Sequence, residues 1–178
     1  MRRLRYCVAT SLDGFIAGHD GECDWIEMDP DVDFGSFFKQ FDSLVMGRKT
    51  YEITKQGPGP VMPGMTTYVY SRTLTIDADS EVTIEKDAIS HMKNLKRESG
   101  EDIWLFGGSN LFRDLLNAQL VDSIELSLAP IMLSRGIPLI PEGDRSPRLK
   151  LVETKPVSNG SISLKYEIEY GGEDNRGN

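Results

Sequence analysis

Apolar positions along the chain follow two alternating rhythms, short strand-like runs and longer runs with helical spacing. "LRYCVA" (4–9) reads as a buried strand, closed by the Asp13-Gly14 turn signal. "DFGSFFKQF" (33–41) sets Phe34, Phe37, Phe38 and Phe41 on one aromatic helix face. "SLVM" (43–46) is a second strand, and the pattern predicts a helix directly after Gly47. "TTYVYS" (66–71) and "SEVTIE" (80–85) are the third and fourth strands. "DAISHMKNLKRESG" (87–100) predicts a helix capped by Asp87, with Ile89, Met92 and Leu95 on its buried face and Gly100 at its end. "DIWLF" (102–106) is a strand that turns at once into a helix over "GGSNLFRDLLNAQL" (107–120), and "SIELSLAPI" (123–131) is a strand again. The rhythm then changes. "LKLVETK" and "SISLKYEIEY" flank Ser158-Asn159-Gly160, which predicts a hairpin with alternation at Ile162, Leu164, Tyr166, Ile168 and Tyr170.

Alternating strands and helices imply an α/β fold, a mainly parallel sheet covered on both faces, here with an antiparallel C-terminal hairpin at its edge. No repeat or linker divides the chain, so residues 1–170 form one domain. The polar end "GGEDNRGN" (171–178) predicts a disordered tail. In such sheets ligands bind beyond the carboxyl ends of the strands, where strands pass into helices.

Composition narrows the function classes. The 178 residues carry a net charge of −8, which argues against a nucleic-acid surface but leaves room for one phosphorylated ligand held by local cations. Hydrophobic content of 39% and charged content of 27% suit an ordinary globular chain. The basic opening is soon broken by Ser11 and Asp13 and fits no secretion signal. No apolar run is long enough to span a membrane, so a cytoplasmic protein is expected. The two cysteines, Cys7 and Cys23, and the two histidines, His19 and His91, form no metal-ligand pattern. Cys7 falls in a strand and reads as core.

Three strand exits hold candidate chemistry. At Met46-Gly47-Arg48-Lys49-Thr50, two cations stand at a helix start, where the helix dipole disfavours them unless an anion comes to meet them. At Phe106-Gly107-Gly108-Ser109-Asn110, paired glycines allow a ligand to approach the backbone at another helix start. At Tyr70-Ser71-Arg72, a hydroxyl and a fork-shaped cation leave a third strand. Three phosphate-competent exits in one sheet favour a dinucleotide, and the absence of GxGxxG after the first strand disfavours the ordinary Rossmann site.

"VMGRKTYE", "PGMTTYVYSR" and "IWLFGGSNLF", in that order, resemble the cofactor segments of the dihydrofolate reductase superfamily. "SLDGFIA" followed by "DWI" and "GRKTYE" is similar to a bacterial branch related to the reductase domain of the bifunctional riboflavin-biosynthesis deaminase/reductase, over residues 4–170. The resemblance implies a single-domain, three-layer dihydrofolate-reductase-like fold and NADPH as cofactor. It places Gly47, Arg48, Lys49 and Thr50 at the NADPH phosphates, and Ser71 and Arg72 at the adenosine 2′-phosphate. It makes Gly107-Gly108 a cis peptide, with Ser109, Asn110 and Leu111 offering N–H groups to the pyrophosphate. Ala9 and Ile16 match the positions that hold the nicotinamide.

For the substrate, the resemblance implies a small pterin- or pyrimidine-like heterocycle, as in 5-amino-6-(5-phosphoribosylamino)uracil reductase. Dihydrofolate reduction and a non-catalytic NADPH-sensing protein are the alternatives. Asp31 and Asp33 lie near the position of the carboxylate that grips the pterin ring in dihydrofolate reductase, and Phe34 competes for it because the loop before Gly47 is shorter. Asp31 and Trp25 are the catalytic candidates, Asp31 near the proton donor and Trp25 fencing or stacking on the ring. Ser127 is a further pocket candidate. Arg135, in "APIMLSRGIPLIP", is a candidate phosphate partner, although a plain loop cation explains it better. The resemblance also implies a homodimer, which an amphipathic face on the edge hairpin would permit.

Overall fold

Period-two runs make strands whose two faces bury different neighbours, and the helices between them carry the chain back to start each next strand in the same direction. A computed structural model describes residues 1–30, 32–56, 62–75, 81–143 and 146–171. The elements are β1 (Leu4–Ser11), β2 (Phe15–Ala17), α1 (Phe34–Phe38), β3 (Phe41–Gly47), α2 (Arg48–Thr54), β4 (Thr66–Tyr70) and β5 (Val82–Glu85). They continue with α3 (Ala88–Leu95), β6 (Asp102–Gly107), α4 (Ser109–Asn117), β7 (Ser123–Ala129), β8 (Ile137–Pro138), β9 (Arg148–Pro156) and β10 (Ile162–Glu169).

The main sheet has the order β5-β4-β3-β6-β1-β7-β10-β9. From β5 to β7 all neighbours are parallel, and β10 runs antiparallel to both β7 and β9. The expected parallel sheet with an antiparallel edge hairpin is therefore present. From β1 the chain steps outward through β3, β4 and β5, then returns to insert β6 between β3 and β1. That return makes a switch point at the carboxyl edge, the usual place for a ligand.

Alternate residues of each strand feed two cores. Leu4, Tyr6, Val45, Ile103 and Leu105 pack under Met92 and Leu95 of α3 and Leu111, Phe112 and Leu115 of α4. On the other face, Cys7, Leu44, Met46, Val69 and Trp104 pack with Tyr51 of α2 and the Phe37 and Phe38 rings of α1. Cys7 is buried as expected. Trp104 meets Phe37 edge-on and stacks on Phe38, and its indole N–H donates to the Cys7 carbonyl at 3.1 Å. Arg5, 5% exposed, joins β1 to β7 through two 2.7 Å hydrogen bonds to Glu125.

Several sequence expectations need correction. The aromatic helix is one turn shorter than expected, because Phe41 begins β3. Helix α3 is capped by Asp87, which accepts from the amides of Ile89 and Ser90, but it ends at Leu95 and not at Gly100. Met92 and Leu95 are buried while Ile89, in the first turn, is exposed. The helix after β6 begins at Ser109 and ends at Asn117, shorter than 107–120. Strands β2 and β8, which form a second, two-stranded antiparallel sheet, carry no periodic signal in so few residues. Their approach requires Gly136 (φ 158°), where a Cβ would collide with the Ala17 carbonyl. The tail expectation falls outside the described residues for 172–178. Among the described residues, no helix is long and apolar enough to cross a membrane.

Candidate functional site

The exits of β3, β4 and β6 meet because these strands lie on one side of the switch point. Helices α2 and α4 both begin on a glycine, Gly47 and Gly108, and neither start has a side-chain cap. Their first-turn N–H groups are thus left to other partners. The Gly107-Gly108 peptide is cis, as the resemblance implied. A Cβ on Gly108 would stand 3.1 Å from Thr50 Oγ1, and one on Gly47 3.9 Å from the Gly108 nitrogen. The two helix starts are therefore packed against each other with the glycines between them.

A cleft of about 900 Å³ opens beside them, lined by Gly47, Tyr70, Ser71, Arg72, Lys86, Asp87, Ala88, Ile89, Asn110, Leu111, Asp114 and Asn117. Ser71 is buried, and its hydroxyl accepts from the amides of Thr73 (3.2 Å) and Leu74 (2.9 Å). It thereby shapes the turn that presents Arg72, and its own O–H stays able to donate. Arg72 is exposed. Lys86 brings a second cation to the wall. The Asp87 carboxyl lies below the usual carboxylate range, first through its hydrogen bonds from Ser90 and also through the nearby Arg72 charge. Burial pushes the Tyr70 phenol up, and its hydroxyl lies 2.8 Å from His91 Nδ1.

A second cavity, about 180 Å³, lies at the exits of β1 and β7. Ala9, Trp25, Ile26, Glu27, Ser127, Ala129, Pro130, Ile131, Asn159 and Ser161 line it. Ala9 and Ser127 face each other across the β1–β7 pair. Trp25 Nε1 donates to the Glu22 carbonyl at 3.3 Å. Asp13 ties the loop after β1 to the loop after β7: its carboxylate accepts from Ser11 Oγ (2.7 Å) and from the amides of Leu133 (3.1 Å) and Ser134 (2.7 Å).

Of the sequence candidates, Gly47, Ser71, Arg72, Asn110 and Leu111 share the large cleft, and Ala9, Trp25 and Ser127 share the small one. Thr50, Gly107 and Gly108 stand at the contact between the two helix starts. Ser109 is buried in the first turn of α4. Ile16, in β2, lines neither cavity, and Lys49 is exposed outside the cleft wall. Arg48 is met by its own helix: it pairs with Glu52 one turn on, at 2.8 Å, so its charge is answered without a ligand. Arg135 is exposed and lines neither cavity. Asp31 falls outside the described residues. Sequence reasoning missed Lys86 and Ile89 as cleft walls, and Glu27 and Asn159 as walls of the small cavity. Lys86 directly before the cap residue Asp87 was the one local signal; the others are brought in by tertiary packing.

Comparison with known proteins agrees with this geometry. The pattern of the RibD C-terminal domain family matches residues 2–163. The uncharacterized protein YyaP of Bacillus subtilis (strain 168) is 33% identical over 177 residues, covering 93% of this chain and 94% of YyaP. Among solved structures, a protein of Shewanella sp. PV-4 assigned to riboflavin biosynthesis superposes with a TM-score of 0.81 at 24% identity, over 95% of this chain and 99% of that one. Dihydrofolate reductase of Enterococcus faecalis, solved with NADP(H) and RAB-propyl, gives a TM-score of 0.68 at 24% identity, over 93% and 94% of the two chains. The three-layer fold is thus that of dihydrofolate reductase, and the chain belongs to the RibD C-terminal domain family.

Proposed function

We infer that the protein is an NADPH-dependent reductase of a small pyrimidine- or pterin-like heterocycle, working by the hydride chemistry of the riboflavin-pathway reductase. The observation that carries this reading is the large cleft. It joins the uncapped starts of α2 and α4 at Gly47 and at Asn110 and Leu111 with the cations Arg72 and Lys86. These residues fit a phosphorylated dinucleotide. Arg72, with Ser71 and Lys86, would hold the 2′-phosphate, and Asn110 and Leu111 would donate N–H groups to the pyrophosphate. Ala9 would border the nicotinamide end. NADPH supplies the hydride when bound. Trp25 closes the small cavity and keeps water from the reacting ring, while the proton comes from water or from the acidic segment that includes Asp31. The reading includes a cytoplasmic location, where NADPH is available.

A homodimer belongs to the same reading. The β9–β10 hairpin leaves Leu149, Leu151, Val152 and Ile162 exposed at the end of the sheet, an apolar face of the kind that a second copy covers. Sedimentation equilibrium at micromolar protein reads the assembly, and a monomer there removes it.

The cofactor is tested by thermal unfolding with NADPH, NADH or neither. A ligand present at about one hundred times its Kd stabilises the folded state by about 2.7 kcal/mol. For a chain of this size that raises the midpoint by about 5–10 °C. A rise with NADPH and little with NADH supports the reading; none with either, at millimolar nucleotide, overturns it. NADPH binding without oxidation of the nucleotide, across a panel of pyrimidines and pterins, would make the protein a sensor instead.

A further inference from the structure

The two cavities differ in charge. The wide cleft has the cations Arg72 and Lys86 on its wall together with Asp87 and Asp114, whereas Glu27 is the sole charged residue that lines the small cavity among the described residues. The chain has no Lys or Arg between Arg5 and Lys39, and that stretch holds eight carboxylates, from Asp13 to Asp33. The two segments that complete the wall, residues 127–131 and 159–161, contain no cation either. Arg135, the nearest cation in sequence to Ile131, is exposed and lies outside the cavity wall.

The wall is also tied in place. Ser158 Oγ donates to Asp29 Oδ2 at 2.6 Å, and Asp29 is buried. Asn159 Nδ2 donates to the Glu27 carbonyl at 3.1 Å, and Asn159 Oδ1 accepts from the Ser161 amide at 3.0 Å. These bonds fix the Trp25–Glu27 segment to the hairpin turn. A doubly charged phosphate brought to this end would lose hydration and meet like charge, with no cation in the wall to answer it. A neutral or protonated ring loses less, and Glu27 and Ser127 of the wall are its candidate acceptors. At about 180 Å³ the space takes a single or fused ring.

We propose that the substrate of this site is an unphosphorylated planar heterocycle, neutral or cationic, which meets Glu27 and Ser127, and that the cavity turns away phosphoribosyl pyrimidines. The proposal rests on the reductase reading and narrows it: the hydride acceptor differs from 5-amino-6-(5-phosphoribosylamino)uracil in lacking the phosphate.

The test is calorimetric titration of the full chain, with and without saturating NADP⁺, by three probes: a ribosylaminouracil, its 5′-phosphate and 2,4-diaminopyrimidine. The unphosphorylated uracil should bind at least about tenfold more tightly than its phosphate, and 2,4-diaminopyrimidine should bind as well. Glu27→Gln should weaken the diaminopyrimidine about tenfold and leave the neutral uracil nearly unchanged. Glu27→Lys should shrink or reverse the preference against phosphate. Equal or tighter binding of the phosphate by the unaltered chain overturns the proposal, and so does binding of neither unphosphorylated probe. The titration without nucleotide keeps this result separate from a failure of NADPH binding, which the thermal scan reads at the other cleft.

Discussion

The Thr50 hydroxyl stands 3.1 Å from the point that a Cβ on residue 108 would occupy, so α2 and α4 begin against each other and a side chain there would press on Thr50. Gly108→Ala should displace Thr50 and spread the two helix starts, weakening NADPH about tenfold. Thr50→Ala removes the obstructing atom, so the double variant should lose less than the sum of the two single losses. Fluorescence titration of the four proteins measures this. Additive losses would show that the contact is not what the glycine serves.

Arg72→Ala should weaken NADPH while hardly touching NADH, because the guanidinium is assigned to the 2′-phosphate. A charge-assisted hydrogen bond contributes about 1.5–3 kcal/mol, or about ten- to a hundredfold in Kd. Lys86→Ala should shift the same ratio in the same direction. Equal losses for both nucleotides would remove the 2′-phosphate role.

Asp13→Asn removes one of the two oxygens that hold the loop after β7 to the loop after β1. Amide exchange at Leu133 and Ser134 should quicken about tenfold, a loss of about 1.4 kcal/mol in local protection. The hydrogen bond from Ser11 above all, and then those from Ser134 and Leu133, hold the Asp13 pKa below the usual carboxylate range. With the folded value depressed, the contribution is complete above the ordinary carboxylate pKa of about 4 and is lost as pH falls through the folded value. The unaltered protein should therefore keep its loop protection from neutral pH down to about 4 and lose it below, and the variant should lack that step. A transition near neutrality would point to another group.

Tyr6 is fully buried and stacked on Phe112 at 4.0 Å between ring centroids, yet its hydroxyl has no hydrogen-bond partner among the described residues. Tyr6→Phe should stabilise the protein by about 1 kcal/mol by removing an unpaired buried oxygen. The melting midpoint should then rise by about 2–4 °C. A fall in the midpoint would mean that the hydroxyl is satisfied in solution.

Much of this was legible in the sequence because secondary structure here is written in local periodicity. The strands of the parallel sheet, the Asp87 cap and the terminal hairpin all follow from spacing and capping chemistry within a few residues. So did the strand exits at Gly47, Ser71 and Gly107, where glycines and cations break the apolar rhythm. Strands β2 and β8 were not legible, since two or three residues carry no period and they exist only because Gly136 lets their backbones meet. Ile89 was misjudged because its helical position says which face it shares with Met92 and Leu95, not that its part of that face lines an open cleft.

The sequence by itself determined the element types, the two-faced core and the phosphate-competent exits, because each depends on near neighbours along the chain. Only the tertiary structure decided that β6 returns between β3 and β1, which brings those exits to one cleft. Only it built the small cavity, whose walls come from residues 25–27, 127–131 and 159–161, far apart in the chain. The same packing leaves Arg72 and Lys86 on the cleft wall. The physical reason is that strand order and the charge of a cavity are set by long-range burial, where segments meet that no local pattern links.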